Sequence, residues 1–127
     1  MEYIGTIANE SPVRSFKAAA AITGEFIAVK LGENGVQTAG AADVPIGILT
    51  PDNYAATAAG EDVTVLVTGG GAWQVGEEIK AGDFLSCGEG GKAVKATTGK
   101  FIFAQALENA KANQAAQVQI INAGYKN

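Results

Sequence analysis

A chain of 127 residues has the length of one domain and is long enough to bury a core of its own. Nine Lys and Arg stand against thirteen Asp and Glu, a net charge of −4, and the basic residues are scattered, which excludes a phosphate-binding basic footprint and with it a nucleic-acid partner. There is no His and only one Cys, Cys87, so the commonest general base, an intrachain disulfide and a multi-Cys zinc site are all excluded.

The charged fraction of 17% lies below the ordinary level of about 25%, and 17 residues are Gly. Such a composition favours short strands joined by tight turns over disorder. Residues 1–21 stand apart from the rest of the chain. Tyr3, Ile4, Ile7, Val13 and Phe16 are apolar without a steady period, and Pro12 removes a ladder donor. This segment reads as an extended arm that meets the domain near Phe16, with an ordinary first edge strand as the alternative. The domain proper is expected over 22–127. No apolar run approaches the ~18 residues of a membrane span. The N-terminus lacks a basic segment followed by an apolar core, so neither a membrane partner nor a signal peptide is expected.

From Ile22 onward the chain repeats itself. Residues 22–39 can be laid on 79–96, with Gly24-Glu25-Phe26 on Gly82-Asp83-Phe84, the turn Gly32 to Gly35 on Gly88 to Gly91, and Val36 near Val94. A short strand follows each copy, Ile46 to Leu49 and Phe103 to Leu107. Each copy then closes on an alternating strand, with Val63, Val65 and Val67 in the first and Val118 and Ile120 in the second. The offset is about 55 to 58 residues, and a repeat at such a period organises a fold. The two units span about 22–69 and 79–124. Asn34-Gly35 signals a hairpin turn, and Gly90-Gly91 serves the same need. Short strands at this spacing predict an all-β domain, a small barrel or sandwich built from two strand-turn-strand units. Residues 106–116 carry helix formers with a thin apolar face and read as one or two turns of helix or as a loop. Residues 51–59 begin with Pro51 in a favourable first-turn position.

Chemical motifs are weak. Residues 88–92 lack the spacing of a phosphate loop, because Ser86 and Ala93 stand where Gly and Ser or Thr are required. Glu77 and Asp83 sit near Gly in polar gaps and read as turn residues. Adjacent carboxylates on a strand point to opposite faces and share no proton. Cys87 has no His partner and reads as a small buried strand residue. No catalytic residue, cofactor or metal ligand is expected, and the chain is not expected to be an enzyme. Trp73 reads either as core or as a contact residue, since Trp is enriched at interface hot spots.

Two resemblances remain. Residues 75–85 resemble the lead-in of biotinyl and lipoyl carrier domains, which implies a modified lysine at a hairpin tip, here Lys92. The acid-Ala-Met-Lys tip of that family is absent, since Gly90-Gly91 precede Lys92. More of the chain, about 22–124, resembles small bacteriophage capsid decoration (cement) proteins. That resemblance lies in Gly24 to Val29, Pro45 to Leu49, Val63 to Thr68 before a glycine run, Ile79 to Leu85, and Ala106-Leu107-Glu108. It implies a virion protein that docks on the outer surface of the assembled head, binds the major capsid protein, stabilises the shell and often forms a homotrimer. Tyr3, Ile4, Ile7, Val13 and Arg14 are the expected capsid-binding residues. Phe16 and Trp73 are the expected oligomer or capsid contacts. A generic β-sandwich module of a larger assembly is the third reading.

Overall fold

The computed structural model describes residues 12–50 and 58–127. Among the described residues ten strands run in chain order: β1 Val13–Lys17, β2 Ala28–Gly32, β3 Gly35–Thr38, β4 Gly47–Leu49, β5 Asp62–Leu66, β6 Gly70–Gln74, β7 Phe84–Cys87, β8 Ala93–Lys95, β9 Phe101–Ala106 and β10 Ala115–Tyr125. They make two five-stranded antiparallel sheets in a sandwich-like arrangement, and the one helical element described is a 3-10 turn, Glu89–Gly91. Residues 107–114, where helix or loop was expected, are loop. Val13–Lys17, expected in the arm, pair with β5 from Val13 opposite Leu66 to Lys17 opposite Asp62, so the edge-strand alternative describes this segment.

The repeat is visible in the topology. The first sheet has the order β1-β5-β4-β2-β3 and the second β6-β10-β9-β7-β8, the same order five strands later. Each sheet curls until its outer strands meet at one parallel bridge, Ala18 with Val36 and Val75 with Ala93, both pairs 57 residues apart. The hydrogen bonds there repeat as well. Ala19 N–H donates to Val36 O at 2.7 Å, and Gly76 N–H to Ala93 O at 2.8 Å.

Pairing registers correct the sequence alignment. Val29 opposite Thr38 matches Leu85 opposite Lys95, so β2 falls on β7 with an offset of 56. Phe26 therefore matches Gly82, and Ala28 matches Phe84, two residues away from the expected match. Phe26 N–H to Leu49 O at 3.2 Å repeats as Gly82 N–H to Ala106 O at 2.8 Å, which supports the corrected register. Val36 falls on Ala93 rather than Val94. The last strands match with an offset of 53, Val65 on Val118, since Thr50 N–H to Thr64 O repeats as Leu107 N–H to Gln117 O.

The turn between β2 and β3 also differs in detail. Gly32 pairs with Gly35, so Glu33 and Asn34 are the two turn residues. Gly35 follows with φ 125°, and a Cβ there would overlap the carbonyl of Lys17, where the end of β1 closes on β3. Glycine is needed for both reasons.

Two cores result. The first repeat buries Ile22, Ile27, Val29, Val36, Leu49, Val63 and Val65 inside its own curl. The second buries Trp73, Ile79, Leu85, Phe103, Val118 and Ile120, and Ala28, Ala39 and Ile48 from the first repeat join them. Alternation explains this: Val29 and Leu49 point into the first core, while Ala28 and Ile48 point out of it into the second. The outer face of the first repeat thus plugs the mouth of the second.

Candidate functional site

The junction between the repeats is the most constructed part of the molecule. The indole of Trp73 is fully buried, meets Phe103 edge to face at 5.3 Å, and donates from Nε1 to Gly91 O at 2.8 Å. Gly91 has φ 78°, and a Cβ on it would sit 2.8 Å from Ala28 O, so only glycine lets the 3-10 turn rest on β2. Across the same seam Gln74 N–H donates to Phe26 O at 2.8 Å and Ala42 N–H to Cys87 O at 3.3 Å. Trp73 is therefore a core residue, and the expectation that it makes an oligomer or capsid contact is corrected: none of its ring reaches the surface.

The other expected contact residues divide. Tyr3, Ile4 and Ile7 lie outside the described residues. Val13 and Arg14 lie on β1, an edge of the first sheet, with Arg14 exposed and Val13 half-buried. Phe16, on the same strand, is half-buried and packs against the first core. Pro12 O accepts from Val67 N–H at 2.8 Å, so Pro12 is already tied to the body of the fold.

The polar residues singled out from the sequence are held by backbone. Asp83 Oδ2 accepts from Lys80 N–H at 2.9 Å, closing a turn, and Glu77 Oε2 accepts from Lys95 N–H at 2.9 Å, tying a loop to β8. Asp43 Oδ2 takes Gly40 N–H at 2.7 Å and Lys30 Nζ at 3.0 Å, and these partners, Gly40 first, hold its carboxyl below its ordinary pKa. Cys87 is buried, and its thiol is pushed up to about 12, by burial first and by the charge of Asp43 second. Lys92 follows the 3-10 turn and gives its ammonium to Asn113 Oδ1 at 3.0 Å. Among the described residues no three His, Cys, Asp or Glu gather as a metal site, and no helix is long and apolar enough to cross a membrane.

The concave features are shallow. One cleft of about 370 Å³ at the junction is lined by Gly24, Glu25, Phe26, Gln74, Asn113 and Ala115. A second of about 250 Å³ lies between Phe84 and Lys126. Exposed large apolar side chains are more informative. Leu31 is 55% exposed, Phe84 45% and Tyr125 64%. The sequence reading missed Leu31 and Phe84. Laying Phe26 on Phe84 made the two aromatics look equivalent. The corrected register sets Phe84 against the covered Ala28 and would have marked it as a large residue on an uncovered face.

The fold has a known counterpart. No protein-family model matches the sequence, and no curated protein matches it. Among solved structures, the N base of the head fiber gp8.5 in bacteriophage phi29 is similar over 91% of this chain and 98% of that one, with a TM-score of 0.62 and 19% identity. At that identity the likeness shows a shared fold.

Proposed function

We propose that this chain is a structural protein of a bacteriophage head, a decoration protein that binds the outer surface of the assembled capsid and stabilises it. The observation that carries the reading is the match to a head fiber base along nearly the whole of both chains, which leaves little of either fold outside the shared body. The strands and turns that suggested capsid decoration proteins in the sequence support the same reading. In it, the partners are the major capsid protein and further copies of this chain in a trimer, the location is the virion surface, and the role is mechanical with no catalysis and no cofactor.

The capsid-binding segment is the N-terminal part up to Arg14. Tyr3, Ile4 and Ile7 offer apolar area, and an extended chain can add to a strand edge on the shell. Because β1 belongs to the domain, a truncation must stop before Pro12; one beginning at Ser15 would remove half of an edge strand. The test is co-sedimentation with heads that lack the protein. The full chain should pellet with the heads, and a chain starting at Pro12 should stay folded but lose most of its affinity. Equal binding by both would move the docking surface onto the domain.

A further inference from the structure

The internal repeat shows what covers each of its own faces. In the first repeat the outward residues Ala28, Ile48 and Leu66 are covered by the second repeat. Their counterparts by strand register are Phe84, Gln105 and Gln119. Phe84 and Gln119 are exposed and Gln105 is half-exposed, and no described residue of this chain packs over Phe84 as the second repeat packs over Ala28. The opposite surface tells the same story. The mouth of the second repeat presents Gly71, Trp73 and Cys87 to the first repeat. The counterparts Arg14, Phe16 and Leu31 form the mouth of the first repeat, where Leu31 is 55% exposed. One chain therefore carries both halves of a contact it already makes internally, each half uncovered by the described residues.

We infer that a second copy of this chain docks head to tail, its first-repeat mouth (Arg14, Phe16, Leu31) seated on the outer face of the second repeat (Phe84, Gln105, Gln119). The contact continues the established junction, which is why a second copy is the occupant. Phe84 takes the place of Ala28 and reaches toward Leu31 and Phe16. At the junction Gly71 makes room for Leu66. Here both partners change together: Arg14 replaces the glycine and Gln119 replaces the leucine, so a guanidinium meets an amide oxygen. The backbone contact of Gln74 N–H with Phe26 O becomes Lys17 N–H with Gly82 O. Among the described residues Gly82 O takes only the side-chain amide of Gln105, at 3.0 Å, and a carbonyl accepts two donors. One corner differs. Gly99 N–H is held by Lys126 O at 2.9 Å, where the junction has Ala42 N–H on Cys87 O, so that bond is not repeated.

Such a contact is heterologous, using different patches on the two copies, and repeats into rings or filaments. The inference rests on the repeat and not on the phage-head reading, so either can fail alone. The test uses two variants of the full chain, Phe84→Glu and Leu31→Glu, each spoiling one patch at an exposed position, with thermal unfolding run beside them to show that both fold. Sedimentation velocity should show the wild type associating as concentration rises and each variant monomeric. An equimolar mixture should give a 1:1 complex and nothing larger, since Leu31→Glu keeps the outer face and Phe84→Glu keeps the mouth. A wild type that stays monomeric to its solubility limit overturns the inference. So does association by either variant alone, or a mixture that stays monomeric while the wild type assembles.

Discussion

Trp73 donates its indole proton to the carbonyl of Gly91 from inside the second core, on a turn that itself rests against Ala28 of the first repeat. One buried hydrogen bond thus fixes the turn that joins the two cores. Trp73→Phe keeps much of the apolar bulk but leaves that carbonyl without its donor, which costs about 1–3 kcal/mol. Trp73→Ala adds a cavity and should cost about 3–5 kcal/mol. Urea unfolding followed by circular dichroism checks both, and a Trp73→Phe midpoint equal to that of the wild type would contradict the hydrogen-bond account.

Gly35→Ala should destabilise more than Gly60→Ala. Both positions have positive φ, which alone costs about 1–2 kcal/mol for an L side chain. At Gly60 a Cβ meets nothing within 4 Å, whereas at Gly35 it would overlap Lys17 O, at the point where β1 closes on β3. Thermal unfolding of the pair measures the difference. Similar losses would mean that the closure yields easily.

The strands were legible because alternation and glycine turns are local signals. Val63, Val65 and Leu85 behave as their pattern requires, and so does the repeat as an arrangement. The register was not legible. Gly24 and Gly82 look alike as letters and both take positive φ, but hydrogen bonding matches Gly82 with Phe26, since Phe26 N–H to Leu49 O repeats as Gly82 N–H to Ala106 O, and Phe26 is a residue that sequence reasoning would not place at positive φ. Trp73 left two readings open because a core tryptophan and an interface tryptophan have the same neighbours in sequence. Only the position of Phe103, far along the chain, decides between them.

Asp43 should contribute to the acid limb of stability. Its partners lower its pKa in the folded state below the ordinary 3.8, so the unfolded chain takes up the proton first. The stabilisation is complete above the unfolded value and is lost as pH falls through the folded one. Asp43→Asn should flatten the stability curve below about pH 4, where an unperturbed carboxylate titrates. An unchanged acid limb would show that Gly40 and Lys30 add nothing.

Cys87 should be silent toward thiol reagents in the native state. Its pKa of about 12 leaves almost no thiolate at pH 8, and the residue is buried. Reaction with a disulfide reagent should therefore follow the unfolding rate and become fast in denaturant. Immediate labelling of the folded protein would contradict the packing of the junction at Cys87.

The proposed place of the chain on a phage head is checked by cryo-electron microscopy of the source particle. Density for a two-repeat β body is expected on the outer surface of the shell, with the N-terminal segment reaching the major capsid protein. A complete head map with no such body outside the shell would contradict it.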